Sequence, residues 1–276
     1  MISNFAVLIG SMMLTASVES SYIPRTAHEN YTMSHSTVVW GQTGHRVVGV
    51  IAEEQLSKRA RRAVNALLDG HSLAYASTFA DEIKSDSAYD AYGPWHYVNY
   101  EMDRRYDPND ADDRGDIVYG IQKSIEVLTS RTTSDADKSF YLKLLIHFIG
   151  DLHQPLHVGR AADQGGNRIQ VSWFSRNSNL HRVWDSDLID GYSMSFEELA
   201  RELMRSTSKE ARLAYQKGAY RDWVEESHQL AGTIYASASS GDKLSYKYGY
   251  DYNALVFEQL KKGGYRLAKI LNEIFD

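Results

Sequence analysis

The segment HFIGDLHQPLH, residues 147–157, holds the densest set of reactive groups in the chain. His147 and Asp151 are four residues apart, so on a helix they share one face. Phe140 and Leu144 extend that face as an apolar stripe, which points both ionisable groups inward. Ionisable groups on a core-facing stripe are costly unless they are paired or bind metal. Pro155 then breaks the helix, and His157 follows from the loop. A second segment, NLHRVWDSDL at 179–188, repeats the four-residue spacing with His181 and Asp185. One such pair is common structure, a His–Asp hydrogen bond across a turn. Two pairs with a flanking His157 point to ligation. Imidazole and carboxylate donors without sulfur suit zinc in a hydrolytic site. The chain has no cysteine, so thiolate sites and disulfides are excluded.

Three weaker segments add candidates. FADEIK at 79–84 carries Asp81, with Lys84 one turn on. GPWHYVNY at 93–100 sets His96 between Trp95 and Tyr97; by itself His96 reads as a core histidine with a backbone partner. WGQTGHRVVG at 40–49 puts His45 just inside the first helix. The other histidines carry no metal assignment. His28 and His35 lie in a polar leader, His71 follows a helix-ending Gly70, His153 faces away from Asp151, and His228 stands alone on an amphipathic stretch.

These groups need helices to hold them. Apolar spacing is helical almost throughout from Trp40 onward. Val47, Val48, Ile51 and Leu56 mark one helix. Ala60, Ala63, Val64 and Leu67 mark the next, with Lys58, Arg59, Arg61 and Arg62 as its solvated face. Ile117, Ile121, Ile125 and Leu128 mark another. Ser134 is placed to cap the helix that carries His147, and Asn179 to cap one that ends near Gly191. Ser195 with Glu198 forms a capping box. Leu255 to Phe275 predicts a last long helix, with Gly263 and Gly264 as its weak point. Only NRIQVSWF, residues 167–174, reads as a strand. The expected fold class is all-α, a single helical domain with at most one small β-hairpin.

Bulk properties agree with one globular domain. The chain has 276 residues, 43% hydrophobic and 24% charged. Residues 5–18, FAVLIGSMMLTASV, have signal-peptide length and are too short to span a bilayer. They lack a basic start. Residues 19–39 are polar and aperiodic. Residues 1–39 therefore read as a signal peptide and leader, and 40–276 as the working domain. That predicts a secreted or periplasmic protein without stable membrane association. Nothing demands more than a monomer. The net charge of −6 does not by itself suggest a polyanionic partner. Three bound divalent cations would cancel it.

Taken together and in this order, the five segments resemble the zinc-dependent single-strand nucleases of fungi, the bifunctional nucleases of plants and their bacterial relatives. The resemblance runs from Trp40 to the last helix. It implies the helical fold and trinuclear zinc site shared with bacterial zinc phospholipase C. One zinc would take Asp81, His96, His147 and Asp151. A second would take His45, Asp151 and the amino nitrogen and carbonyl oxygen of Trp40, with Asp151 bridging the two. The third would take His157, His181 and Asp185. In that family the tryptophan begins the mature enzyme, whereas here 39 residues precede it. Cleavage after Val39 would free the amine; otherwise the second zinc has an altered set of ligands, or the chain starts at Met33.

The implied activity is hydrolysis of single-stranded DNA and RNA to 5′-phosphorylated products, with 3′-nucleotidase activity as a companion. Asp81, Asp151 and Lys84 become the catalytic candidates, Lys84 by stabilising charge on the phosphoryl oxygens. Tyr97 would stack a base, a contact that accepts any base, or else fill core; Asn99 would hydrogen-bond near the phosphate. A zinc phospholipase C and a non-catalytic zinc-binding protein are the alternatives. The first would show an apolar mouth, the second zinc without turnover.

Overall fold

A computed structural model describes residues 41–276. The leader 1–39 and Trp40 lie outside the described residues. At the centre runs α6 (Asp135–Leu152). Ser134 caps it by accepting from the Asp137 N–H, and Asp135 and Asp137 favour the positive end of the helix dipole. From Leu144 to Leu152 every residue is buried. A helix enclosed on all sides is a core helix rather than an amphipathic one. Polar side chains on its last turns therefore project into the interior. α5 (Ile117–Thr129), capped by Asp116, packs along it.

α1 (Gln42–Glu54) lies against α12 (Tyr246–Phe275). Gly263 and Gly264 permit that approach. A Cβ on Gly264 would sit 2.5 Å from Ile51 Cβ, and one on Gly263 would sit 3.2 Å from Val48 Cγ2. The expected weak point of the last helix is thus its tightest contact. The helix also begins earlier than its aliphatic spacing suggests. Its first turns use tyrosines instead, with Tyr248 and Tyr252 against Trp184. α2 (Lys58–Leu67) is capped by Ser57 and keeps its four basic side chains exposed, as expected. The short α3 (Leu73–Ala76) and α4 (Phe79–Glu82) lead into 3-10 turns that end at His96.

The expected hairpin is β1 (Gln170–Trp173) with β2 (Arg176–Asn179), antiparallel, with Trp173 opposite Arg176. A third strand, β3 (Lys243–Leu244), pairs parallel to β1. Two residues carry no alternation, so nothing in their sequence announces it. The hairpin feeds α7 (Leu180–Arg182), a π-helical turn at Val183–Asp187, and α8 (Leu188–Asp190). Asn179 caps this run. α9 (Phe196–Arg205) starts at the Ser195–Glu198 capping box; α10 (Lys209–Tyr215) and α11 (Tyr220–Tyr235) complete the fold. The architecture is helical with one small sheet. No helix among the described residues is long and apolar enough to cross a membrane.

Candidate metal centre

The site is assembled around the last turns of α6. His147 and Asp151 point the same way, with His147 Nε2 3.1 Å from Asp151 Oδ2. His147 Nδ1 donates to Ser77 O at 2.7 Å, which orients the ring and ties it to the segment before α4. Asp81 on α4 then comes within 3.5 Å of His147 Nε2. His96, at the end of the 3-10 run, places Nδ1 2.8 Å from Asp151 Oδ2 and 3.1 Å from His147 Nε2. From α1, His45 stacks on His147 at 3.8 Å, and its Nε2 is 3.3 Å from Asp151 Oδ1. Gly150 makes room for that ring, since a Cβ there would lie 2.6 Å from His45 Nδ1. Asp151 therefore turns one oxygen to His96 and His147 and the other to His45.

The third group sits beyond Pro155. His157 Nε2 is 3.3 Å from Asp185 Oδ1, and His181 Nε2 is 3.2 Å from Asp185 Oδ2. His157 Nδ1 donates to His96 O at 2.9 Å, and His181 Nδ1 donates to Gly165 O at 2.7 Å. The π-helical turn carries Asp185, and the Gly41 N–H donates to its carbonyl at 2.8 Å. Gln154 was not anticipated from sequence. Its Nε2 donates to Asp185 Oδ1 at 2.6 Å, and its Oε1 accepts from the Leu156 N–H at 2.6 Å. Its position between Asp151 and His157, next to Pro155, was the available signal.

The donor chemistry fits cations. The histidines that give Nδ1–H to a backbone carbonyl present Nε2 as a lone pair when neutral. Those lone pairs face carboxylate oxygens, so only a proton or a metal between them makes the contact favourable. Asp151 Oδ1, His157 Nε2 and Asp185 Oδ2 are buried without a hydrogen-bond partner, which is rare for polar atoms. Three groups have ligand atoms within 4.8 Å of one another: His45, His147 and Asp151; Asp81, His96 and His147; and His157, His181 and Asp185.

Proton affinities follow the same field. Burial alone would lower His157, but Asp151 and Asp185 outweigh it and push it up to about 9. Burial alone would raise Asp185, but His181 and His157 hold it at about 2. Asp151 is held well below the carboxylate range, against its burial, chiefly by His147 and His157. Burial drives His96 down to about 3.

Lys84 Nζ donates to Asp81 Oδ1 at 2.9 Å at the edge of the cluster, in partial contact with solvent. Tyr97 follows His96 and is 47% exposed, so it does not fill the core. Asn99 Oδ1 is buried without a hydrogen-bond partner beside Gly165, whose carbonyl holds His181. Trp40 lies outside the described residues; its neighbour Gly41 abuts Asp185. His153 is buried against Arg266, and His228 donates to Val158 O and stacks on Tyr100. Both have structural partners away from the three groups.

A family model described as S1/P1 Nuclease matches residues 40–276. The chain belongs to the S1/P1 nuclease family. Endonuclease 2 of Arabidopsis thaliana is 33% identical over 264 residues, covering 86% of this chain and 90% of that protein. Nuclease S1 of Aspergillus oryzae is 28% identical, covering 88% of this chain and 94% of its own length. Nuclease P1 of Penicillium citrinum is 28% identical over 85% of this chain and 97% of its own. Membership of the S1/P1 family makes the chain a hydrolase of nucleic-acid phosphodiesters with a metal-binding site. It also favours nucleic acid over a phospholipid as substrate, and turnover over mere zinc storage.

Proposed function

We propose that this S1/P1 nuclease holds three zinc ions and cleaves single-stranded DNA and RNA to 5′-phosphorylated products, with 3′-nucleotidase activity. The carrying observation is the convergence of eight buried or half-buried His and Asp side chains into three contiguous groups around Asp151 and Asp185. One zinc is held by Asp81, His96, His147 and Asp151. Another is held by His45 and Asp151, completed by the amine and carbonyl of Trp40 once residues 1–39 are removed. The third is held by His157, His181 and Asp185. Bound there, the ions supply electrophilic stabilisation of the phosphate and make water nucleophilic near neutral pH.

The chain's own residues do the rest. Asp151 shares its two oxygens between neighbouring groups and fixes their spacing. Gln154 orients Asp185 by a direct hydrogen bond. Lys84 is tethered by Asp81 and offers its remaining N–H groups to a phosphoryl oxygen. Tyr97 presents its ring to solvent beside His96, where an unpaired base can stack. Asn99, half-buried, sets its Oδ1 beside Gly165 near the third group, and its amide N–H groups are the ones that would reach a phosphate oxygen. A duplex hides its base faces from Tyr97 and keeps its phosphates away from a recessed cluster, which gives strand selectivity. The working enzyme is residues 40–276, exported and monomeric.

The test combines zinc content, N-terminal sequence and cleavage of denatured against duplex DNA on one purified sample. Three zincs per chain, Trp40 as first residue and 5′-phosphate ends on the denatured substrate are expected. Asp151→Asn should lose both zinc and hydrolysis. Full activity in that variant would overturn the assigned cluster.

A further inference from the structure

The loop between His157 and β1 is held with unusual economy of conformation. Gln164, Gly165 and Gly166 take successive positive φ angles of 55°, 60° and 84°. Gln164 does so without being glycine, which marks a backbone constrained from outside. At Gly165 a Cβ would lie 2.3 Å from Leu156 O, so no side chain fits. The constraint has a visible source. Asp163 is buried, and its Oδ1 accepts from the Gly166 N–H at 2.8 Å and from the Tyr235 hydroxyl at 3.1 Å. Its Oδ2 accepts from Arg160 Nε at 2.7 Å. The Arg160 guanidinium in turn lies 3.9 Å over the Tyr235 ring.

The peptide that joins Gly165 to Gly166 is therefore bonded at both ends. Its N–H goes to the Asp163 carboxylate. Its C=O accepts from His181 Nδ1 at 2.7 Å. A charged acceptor on the N–H polarises an amide and makes its carbonyl a stronger acceptor, because hydrogen bonds in a chain reinforce one another. A stronger acceptor at Nδ1–H makes Nε2 more electron-rich, and Nε2 is the atom that faces Asp185. A carboxylate bonded directly to a ligand histidine has that effect on metal affinity; here one peptide plane stands between them. His157 is anchored differently, since the N–H of its anchoring peptide, that of Tyr97, goes to a backbone oxygen, Pro94 O, at 3.4 Å.

We propose that Asp163 is a positioning residue for the third metal position, acting on His181 through the Gly165–Gly166 peptide. Asp163 fixes the carbonyl that orients the His181 ring and raises the donor strength of its Nε2. Arg160 opposes part of that effect by drawing on the same carboxylate. The metal consequence rests on the zinc reading above; the relay itself does not.

The experiment uses the zinc-loaded full chain with two substitutions and two readouts. Asp163→Asn keeps an oxygen for the Gly166 N–H and removes the charge. In a chelator competition, one zinc per chain should leave at about 10–100-fold lower chelator concentration, with the other two unchanged. The His181 Nδ1–H proton resonance should move upfield as its hydrogen bond weakens. Arg160→Gln frees the carboxylate, so the same resonance should move downfield. Loop stiffness alone predicts that both substitutions loosen His181 and shift it the same way, and that result would overturn the relay. So would an unchanged resonance in Asp163→Asn, or equal weakening of all three zincs. If Asp163→Asn fails to fold, the sign of the Arg160→Gln shift decides by itself. A wild-type protein without zinc at this position would overturn the zinc reading separately, while the resonance shifts still judge the relay.

Discussion

At the scale of single residues, the site is a contest between protons and metal for the same lone pairs. The ligand atoms stand about a hydrogen-bond length apart, and three of the five histidines in the cluster are turned by a backbone carbonyl: Ser77 for His147, His96 for His157 and Gly165 for His181. Gln154 plays the matching part for a carboxylate. Gln154→Leu keeps the bulk and deletes the bond to Asp185, so zinc affinity at the third position should fall about 10–100-fold by competition with a chelator. An unchanged affinity would mean that the bond is incidental. Lys84 has a different task. Lys84→Met should leave zinc content intact and lower kcat by about 10²-fold, in keeping with loss of one donor to a charged transition state. Loss of zinc in that variant would instead make Lys84 a support for Asp81.

Among elements, two helix pairs decide whether the residues meet. α6 delivers His147 and Asp151 only because it is buried on every side over its last turns. α1 delivers His45 because α12 lets it approach closely at Gly263 and Gly264. Gly264→Ala makes that point quantitative. Alanine gains about 1 kcal/mol of helix propensity over glycine. The new methyl would lie 2.5 Å from both Cβ and Cγ2 of Ile51, atoms too near the backbone to swing aside. Overpacking costs typically about 1–3 kcal/mol. The clash should win, and urea unfolding should show a net loss of up to about 2 kcal/mol. Any gain in stability would show that α1 and α12 can separate freely.

For the whole molecule, pH separates the metal-free from the loaded protein. His157 is raised to about 9 in the folded chain against an ordinary value near 6.5, and His147 is raised as well. A raised folded value adds stability that is complete below the unfolded value and fades as pH climbs through the folded one. The chelated protein should therefore lose thermal stability between about pH 6.5 and 9. With zinc present the trend reverses, because the ion must displace those protons and binds better as they leave. Melting curves over that range, with and without chelator, check both signs. Parallel curves would show that protons and zinc do not share these sites. Charge works at the same scale, since bound divalent ions would offset the chain's negative net charge and ease the approach of a polyanion.

Much of this protein was legible in one dimension. Helical period, caps at Ser134, Asn179 and Ser195, and the break at Pro155 depend on neighbours in sequence, and they set the helices that carry the ligand pairs. The four-residue spacing placed His147 with Asp151 and His181 with Asp185 for the same local reason. Family membership, too, rested on motif types and order. The tertiary structure alone decided the rest. Backbone carbonyls have no letter of their own, so the atoms that turn His147, His157 and His181 could not be read. Nor could Gln154, whose partner lies 31 residues away, or Asp163, which acts through a peptide. The two-residue β3 has no period to detect. The Gly263–Gly264 pair looks like weakness in a lone helix and becomes a contact only when α1 is beside it. Local interactions are written in the order of residues; which distant atoms share a cavity is settled only when the chain packs.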